Sequence, residues 1–218
     1  MSVTIQLHSL TRPPQHGLLW RRRQDEECKE NNMHESRFAL FTDVSLNPQR
    51  KIGVGGYLLV PVPFLERKVH DIEQGEVSAR LIIRRFAESS STKLELQTVL
   101  WALEHSREEL SGSVPGTLRI YTDSQCVAGL LGRRAGLTER DFLSGRSGRP
   151  LTNAHLYRAF YEAFDQLGFQ LVKVSGHSRA SSHDTVQRIF SYVDREVRKA
   201  LTHWLFPEGN NGTVKTFP

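Results

Sequence analysis

Leu118-Arg119-Ile120-Tyr121-Thr122-Asp123-Ser124-Gln125 is the stretch that decides the fold. An apolar run of strand character ends in an acid, and a short helix is expected from Ser124 to Gly132. Carboxyl ends of buried strands, beside helix starts, are where ligand sites gather in open α/β sheets. A second run, Arg37-Phe38-Ala39-Leu40-Phe41-Thr42-Asp43, also ends in an acid, and Val44-Ser45 follow it. It is apolar on both faces, as a central strand should be.

The elements around these two runs follow from periodicity. Residues 52–60 read as a strand loosened by Gly53, Gly55 and Gly56, and residues 78–86 as a third centred on Leu81, Ile82 and Ile83. A helix is expected over 93–107, with Leu96, Val99, Leu100 and Leu103 on one stripe. Residues 133–150, rich in glycine and arginine, read as a loop. A helix over 153–167, a strand over 169–174 and a last helix over 185–204 complete the order βββ-α-β-α-α-β-α. Short links make the first three strands an antiparallel meander, and strands separated by helices add in parallel. Three domains of sequence follow: an N-terminal extension (1–35, with a short strand possible over 3–7), a folded region (36–205) and an irregular C-terminal tail (206–218).

Two more acids accompany Asp43 and Asp123. Glu95 opens the helix over 93–107, and Asp194 borders the apolar stripe of the last helix. Clustered carboxylates repel one another, and a pair of divalent cations is a common way to stabilise them and to cut phosphodiesters. Each acid also has an ordinary structural role open to it. Asp43 suits a polar turn. Glu95 fits a capping box with Thr92. Asp123 could be an N-cap, and Asp194 could pair with Arg198 at i+4. His177 and His183 are loop histidines, able to move protons beside a metal site or simply solvated. Arg133, Arg134, Arg140, Arg146 and Arg149, with Arg188, Arg195, Arg198 and Lys199 on the last helix, could track phosphates or form solvated faces.

Composition narrows the function classes. The 218 residues carry a formal charge of +5, which permits nucleic-acid binding. No apolar stretch is long enough to span a bilayer, and no signal-peptide pattern opens the chain. Cys28 and Cys126, the two cysteines, form no CxxC pair, which argues against a structural zinc site. A cytoplasmic protein and a monomer are expected.

Taken in order, Phe41-Thr42-Asp43 with Ser45 and Asn47-Pro48, Gly53 to Gly56, Ser91-Thr92-Lys93-Leu94-Glu95-Leu96, Thr122-Asp123-Ser124-Gln125, Leu151-Thr152-Asn153, Lys173-Val174-Ser175-Gly176-His177 and Val193-Asp194 resemble ribonuclease H of the type 1 class over about residues 37–204. The resemblance implies an α/β fold, a five-stranded mixed sheet flanked by helices. It implies an endonuclease that cuts the RNA strand of RNA–DNA hybrids with two Mg²⁺ ions, Mn²⁺ being a possible substitute, and leaves 5′-phosphate and 3′-hydroxyl ends. By the same resemblance Asp43, Glu95, Asp123 and Asp194 are the metal ligands and His177 the catalytic loop histidine. Asn47, Ser91, Thr92, Gln125 and Asn153 match positions near the hybrid's minor groove, where 2′-hydroxyls distinguish RNA from DNA.

The departures are specific. Val44 stands where a glycine usually follows the first acid. The tryptophan-bearing basic handle of some members is missing. The interval from His177 to Asp194 is long, which makes Asp184 a rival for the fourth ligand. Two other functions stay open: a related nuclease acting on a DNA junction or single strand, and a non-catalytic hybrid-binding module.

Overall fold

The computed structural model describes residues 37–111, 115–175 and 184–207. The expected extension 1–35 and the tail from 208 onward lie outside them, as do His177 and His183.

Phe38–Asn47 forms β1, and Ile52–Pro61 folds back on it as β2, with Phe38 opposite Pro61 and Asn47 opposite Ile52. Ala39, Leu40 and Phe41 are wholly buried, so β1 is covered on both faces and takes the middle of the sheet. The order is β3-β2-β1-β4-β5, where β3 is Ile82–Phe86, β4 Leu118–Thr122 and β5 Gln170–Lys173. β1–β2 and β2–β3 pair antiparallel, and β1–β4 and β4–β5 pair parallel. This is the five-stranded mixed sheet that the resemblance implies.

The helices, in chain order, are α1 (Gln74–Arg80), α2 (Ser91–His105), α3 (Arg107–Leu110), α4 (Gln125–Ala128), α5 (Leu130–Glu139), α6 (Ala154–Leu167) and α7 (Thr185–Leu205). Two apolar layers sandwich the sheet. Leu40, Tyr57 and Ile120 face α2 and α6, meeting Leu96, Val99, Phe160 and Phe169. Ala39, Phe41, Val54 and Leu58 face α7, meeting Ile189, Phe190, Val193 and Val197. Two glycines of β2 let the helices close on it. A Cβ at Gly55 would collide with Thr98 of α2, and one at Gly56 would lie 2.5 Å from Val197 Cγ2 of α7.

Two expectations are corrected. The strand expected over 78–86 starts only at Ile82. Residues before it form α1, held by Val77, which is fully buried in the α7 layer together with Phe64 of the 3-10 turn Val62–Glu66 and Ile72, which follows a second such turn at Val69–Asp71. The expected loop 133–150 is helical through Glu139. Buried Leu130, with Leu131 and Leu137 packed on the α2–α6 layer, gives α5 an apolar stripe. Arg134 adds a two-pronged bond to Asp165 of α6, both contacts 2.6 Å. Gly132 and Gly136 have no close neighbour except the end of the Arg140 side chain, so they are tolerated at their usual helical cost.

Candidate active site

Parallel register sets the first pair of acids side by side. Phe41 lies opposite Tyr121, and their rings stack at 4.7 Å on the α7 face. Side chains alternate along a strand, so Asp43, inside β1, and Asp123, just past the end of β4, each two residues further on, emerge on that same face. Asp43 is 6% exposed, and its Oδ2 is buried without a hydrogen-bond partner. Burial pushes its carboxyl well above the ordinary value of 3.8, and the charges of Asp123 and then Asp194 push it further. Asp123 itself is exposed to solvent.

Glu95 reaches the same edge from α2. The helix begins at Ser91 with Ser90 as its N-cap, so Thr92 is already inside it and the capping box expected between Thr92 and Glu95 does not form. Glu95 accepts instead from Ser91 Oγ at 3.1 Å and from Ser124 Oγ at 2.5 Å. Ser124, 5% exposed, also takes the N-cap of α4, accepting from the Val127 amide at 3.1 Å. Capping by Ser124 leaves Asp123 out of that role. Thr42, Asp43, Val44, Glu95, Thr122 and Asp123 line one small cleft.

Asp194 comes from α7. Its i+4 bond to Arg198 does form, at 2.6 Å, and the same carboxylate faces Asp43 closely enough to raise its pKa. Asp184 is the N-cap of α7 in a full capping box with Gln187. Ten residues of helix place it about 15 Å along the axis from Asp194. Among the described residues, no three His, Cys, Asp or Glu side chains are already disposed around one cation position. The bonds to Arg198, Ser91 and Ser124 hold two of the four carboxylates in their own hydrogen bonds. The donor set is nevertheless all hard oxygen, as Mg²⁺ requires, and the Asp43 oxygen is desolvated and unpartnered.

The expected substrate contacts are scattered around this edge. Asn47 accepts the Arg50 amide at 2.9 Å and closes the β1–β2 turn. Ser91 is exposed and bonded to Glu95, and Thr92 is half-buried beside it. Gln125 is exposed, its Oε1 bonded by Lys173 Nζ from the end of β5. Asn153 caps α6 with its backbone position only. Ser124 and Lys173 were not singled out as site residues by pattern. Ser124 carried a signal, a serine three residues before an amide in need of a cap. Lys173 carried none, since its partner is distant in sequence.

A larger hollow of about 570 Å³ lies between α2, α3 and α6, floored by Leu100, Leu103, Ala163 and Leu167. It belongs to the helical layer on the sheet face opposite α7 and contains none of the four acids. No described helix is long and apolar enough to cross a membrane.

The chain matches the RNase H family over residues 35–200. No curated protein matches it in sequence. Among solved structures it is similar to a foamy viral protease-reverse transcriptase, determined in complex with dsDNA. That likeness has 13% identity and a TM-score of 0.45, covering 73% of this chain and 94% of that one.

Proposed function

Since the chain belongs to the RNase H family, we propose that it hydrolyses the RNA strand of RNA–DNA hybrids, with divalent ions held by Asp43, Glu95, Asp123 and Asp194. The observation that carries this reading is the buried Asp43 carboxylate, one oxygen unpartnered, with Asp123 and Asp194 raising its pKa. Repulsion of this kind is unfavourable in the empty protein and is relieved when cations are shared among the acids.

Bound Mg²⁺, or Mn²⁺ in its place, would lower the pKa of an attacking water and stabilise charge on the leaving 3′-oxygen. The chain's own groups have separable tasks. Asp43 presents its free oxygen inward from β1. Ser124 and Ser91 hold Glu95 in one rotamer. Asp123 stands at the solvent side, and Asp194 joins by exchanging its Arg198 bond. His177, outside the described residues, is assigned proton movement or product release. Asn47, Ser91, Thr92, Gln125 and Asn153 are assigned the minor groove and its 2′-hydroxyls. The products are 5′-phosphate and 3′-hydroxyl ends.

The test is Mg²⁺-dependent cleavage of a labelled RNA–DNA hybrid, beside duplex RNA and duplex DNA of the same sequence, by wild type and Asp123→Asn. Cutting of the hybrid's RNA strand alone, abolished in the variant, is expected. Well-folded protein that leaves the hybrid intact in Mg²⁺ and Mn²⁺ would refute the proposal.

A further inference from the structure

β3 is the outermost strand on its side of the sheet, and among the described residues nothing pairs its far edge. Alternate residues therefore turn N–H and C=O groups away from β2, a ready template for another strand. Ile82 and Ile83 are 38% and 40% exposed, two of the four large apolar side chains that the described surface leaves open. At the opposite margin, β5 exposes Gln170 and Lys173 and half-buries Leu171 and Val172, so the apolar invitation is peculiar to β3.

Charge defines what can dock. Gly56 faces α7 and lies opposite Ile83, so Ile83 and Arg85 share the α7 face, while Ile82, Arg84 and Phe86 share the α2 face. The Arg84 guanidinium lies 5.4 Å from the Phe86 ring centre and 5.8 Å from that of Trp101. The Arg85 guanidinium lies 5.2 Å from the Trp204 ring centre. Each face of the edge thus holds one arginine over an aromatic ring, and among the described residues neither has a carboxylate partner. Pairing with a second copy is disfavoured, because the two-fold register that matches all five residues sets Arg84 against Arg84.

We infer that the β3 edge docks an extended segment of a partner protein whose side chains read apolar-acidic-acidic-apolar-apolar. Run antiparallel, such a segment sets acids against Arg85 and Arg84 and apolar groups against Phe86, Ile83 and Ile82. Main-chain bonds supply affinity and the alternating side chains supply selection. Gly56 stands opposite both Ile83 and Asp43, so the docking edge lies two strand spacings, about 10 Å, from the first of the acids.

The probe is a capped peptide containing Val-Glu-Glu-Val-Val, titrated into the full chain while backbone amide signals are followed by NMR. Expected are shifts centred on residues 82–86 and slowed exchange at alternate β3 amides. Arg84→Glu with Arg85→Glu should weaken binding about tenfold or more, and a Val-Lys-Lys-Val-Val peptide should bind that double variant in its place, which also reports that it is folded. The inference fails if no β3 amide responds, if a scrambled peptide of equal composition binds as well, or if the double variant binds the acidic peptide unchanged. Loss of RNA–DNA hybrid binding in the double variant, with no peptide response in wild type, would assign the edge to nucleic acid.

Discussion

Replacing Asp43 by asparagine should make the metal-free protein more stable, and only where the carboxyl is ionised in the unfolded chain. Continued two residues past Phe41 and Tyr121, the parallel register sets Asp43 opposite Asp123 with their backbones one strand spacing, about 5 Å, apart. Two full charges at that spacing and an effective dielectric of 20 repel by about 3 kcal/mol. Asp123 is exposed, and solvent screening cuts that to roughly 1 kcal/mol. Desolvation of the buried charge, which a neutral amide does not incur, contributes about another 1 kcal/mol. The variant should therefore gain about 2 kcal/mol near pH 8, or about 4–8 °C in Tm for a domain of this size. The sign follows from proton binding. The folded carboxyl is raised above 3.8, so as pH climbs the unfolded chain releases its proton first and wild type loses stability. Below the ordinary carboxylate range both states are protonated, and the gap between variant and wild type should close. Thermal melts in EDTA from about pH 3 to about pH 8 measure this. An Asp43→Asn protein that melts at or below wild type at pH 8, or a gap that does not change with pH, would refute the reasoning.

Asp123→Asn removes the same Asp43–Asp123 repulsion and should stabilise the metal-free protein by roughly 1 kcal/mol, while hybrid cleavage falls by about a hundredfold or more; urea melts and turnover are the readouts. Ser124→Ala removes the α4 cap and a Glu95 tether together, so a loss of about 2 kcal/mol in urea unfolding is expected, with kcat reduced at unchanged hybrid affinity. Gly55→Ala drives a methyl into Thr98 of α2 and should destabilise by about 1–3 kcal/mol, read as a lower urea midpoint at constant m. Phe160→Ala empties a fully buried ring site against Phe169 and Tyr161 and should lose about 3–5 kcal/mol by the same assay.

What could be read without coordinates was whatever burial writes into periodicity. Phe38 to Phe41 and Leu118 to Tyr121 are strands covered on both faces, and such runs announce themselves. The mixed strand directions followed from short links early and helical links late. α1 escaped notice because Val77 is its one buried residue, too little to make a stripe. α5 was hidden by Gly132, Gly136 and its arginines, although Leu130, Leu131 and Leu137 were spaced for a helix. At the site, local sequence could not separate ligand from cap for Glu95. The helix starts one residue before Thr92, which rules out the cap, and Glu95 is bonded instead to Ser124, remote in sequence and adjacent in space. Asp194 was similarly ambiguous: its Arg198 bond is real, and only the packing of α7 against β1 adds Asp43 as a neighbour.

The four acids come from β1, α2, β4 and α7, so the first and last are separated by most of the described chain. Contacts of such long sequence separation form late in folding. A ribosome-bound chain that has made β1, β2 and β3 holds one acid of the four. Any chemistry that needs all four must wait until α7 has left the exit tunnel and seated on the sheet. The seating of α7 is therefore the step that brings the last of the four acids to the other three.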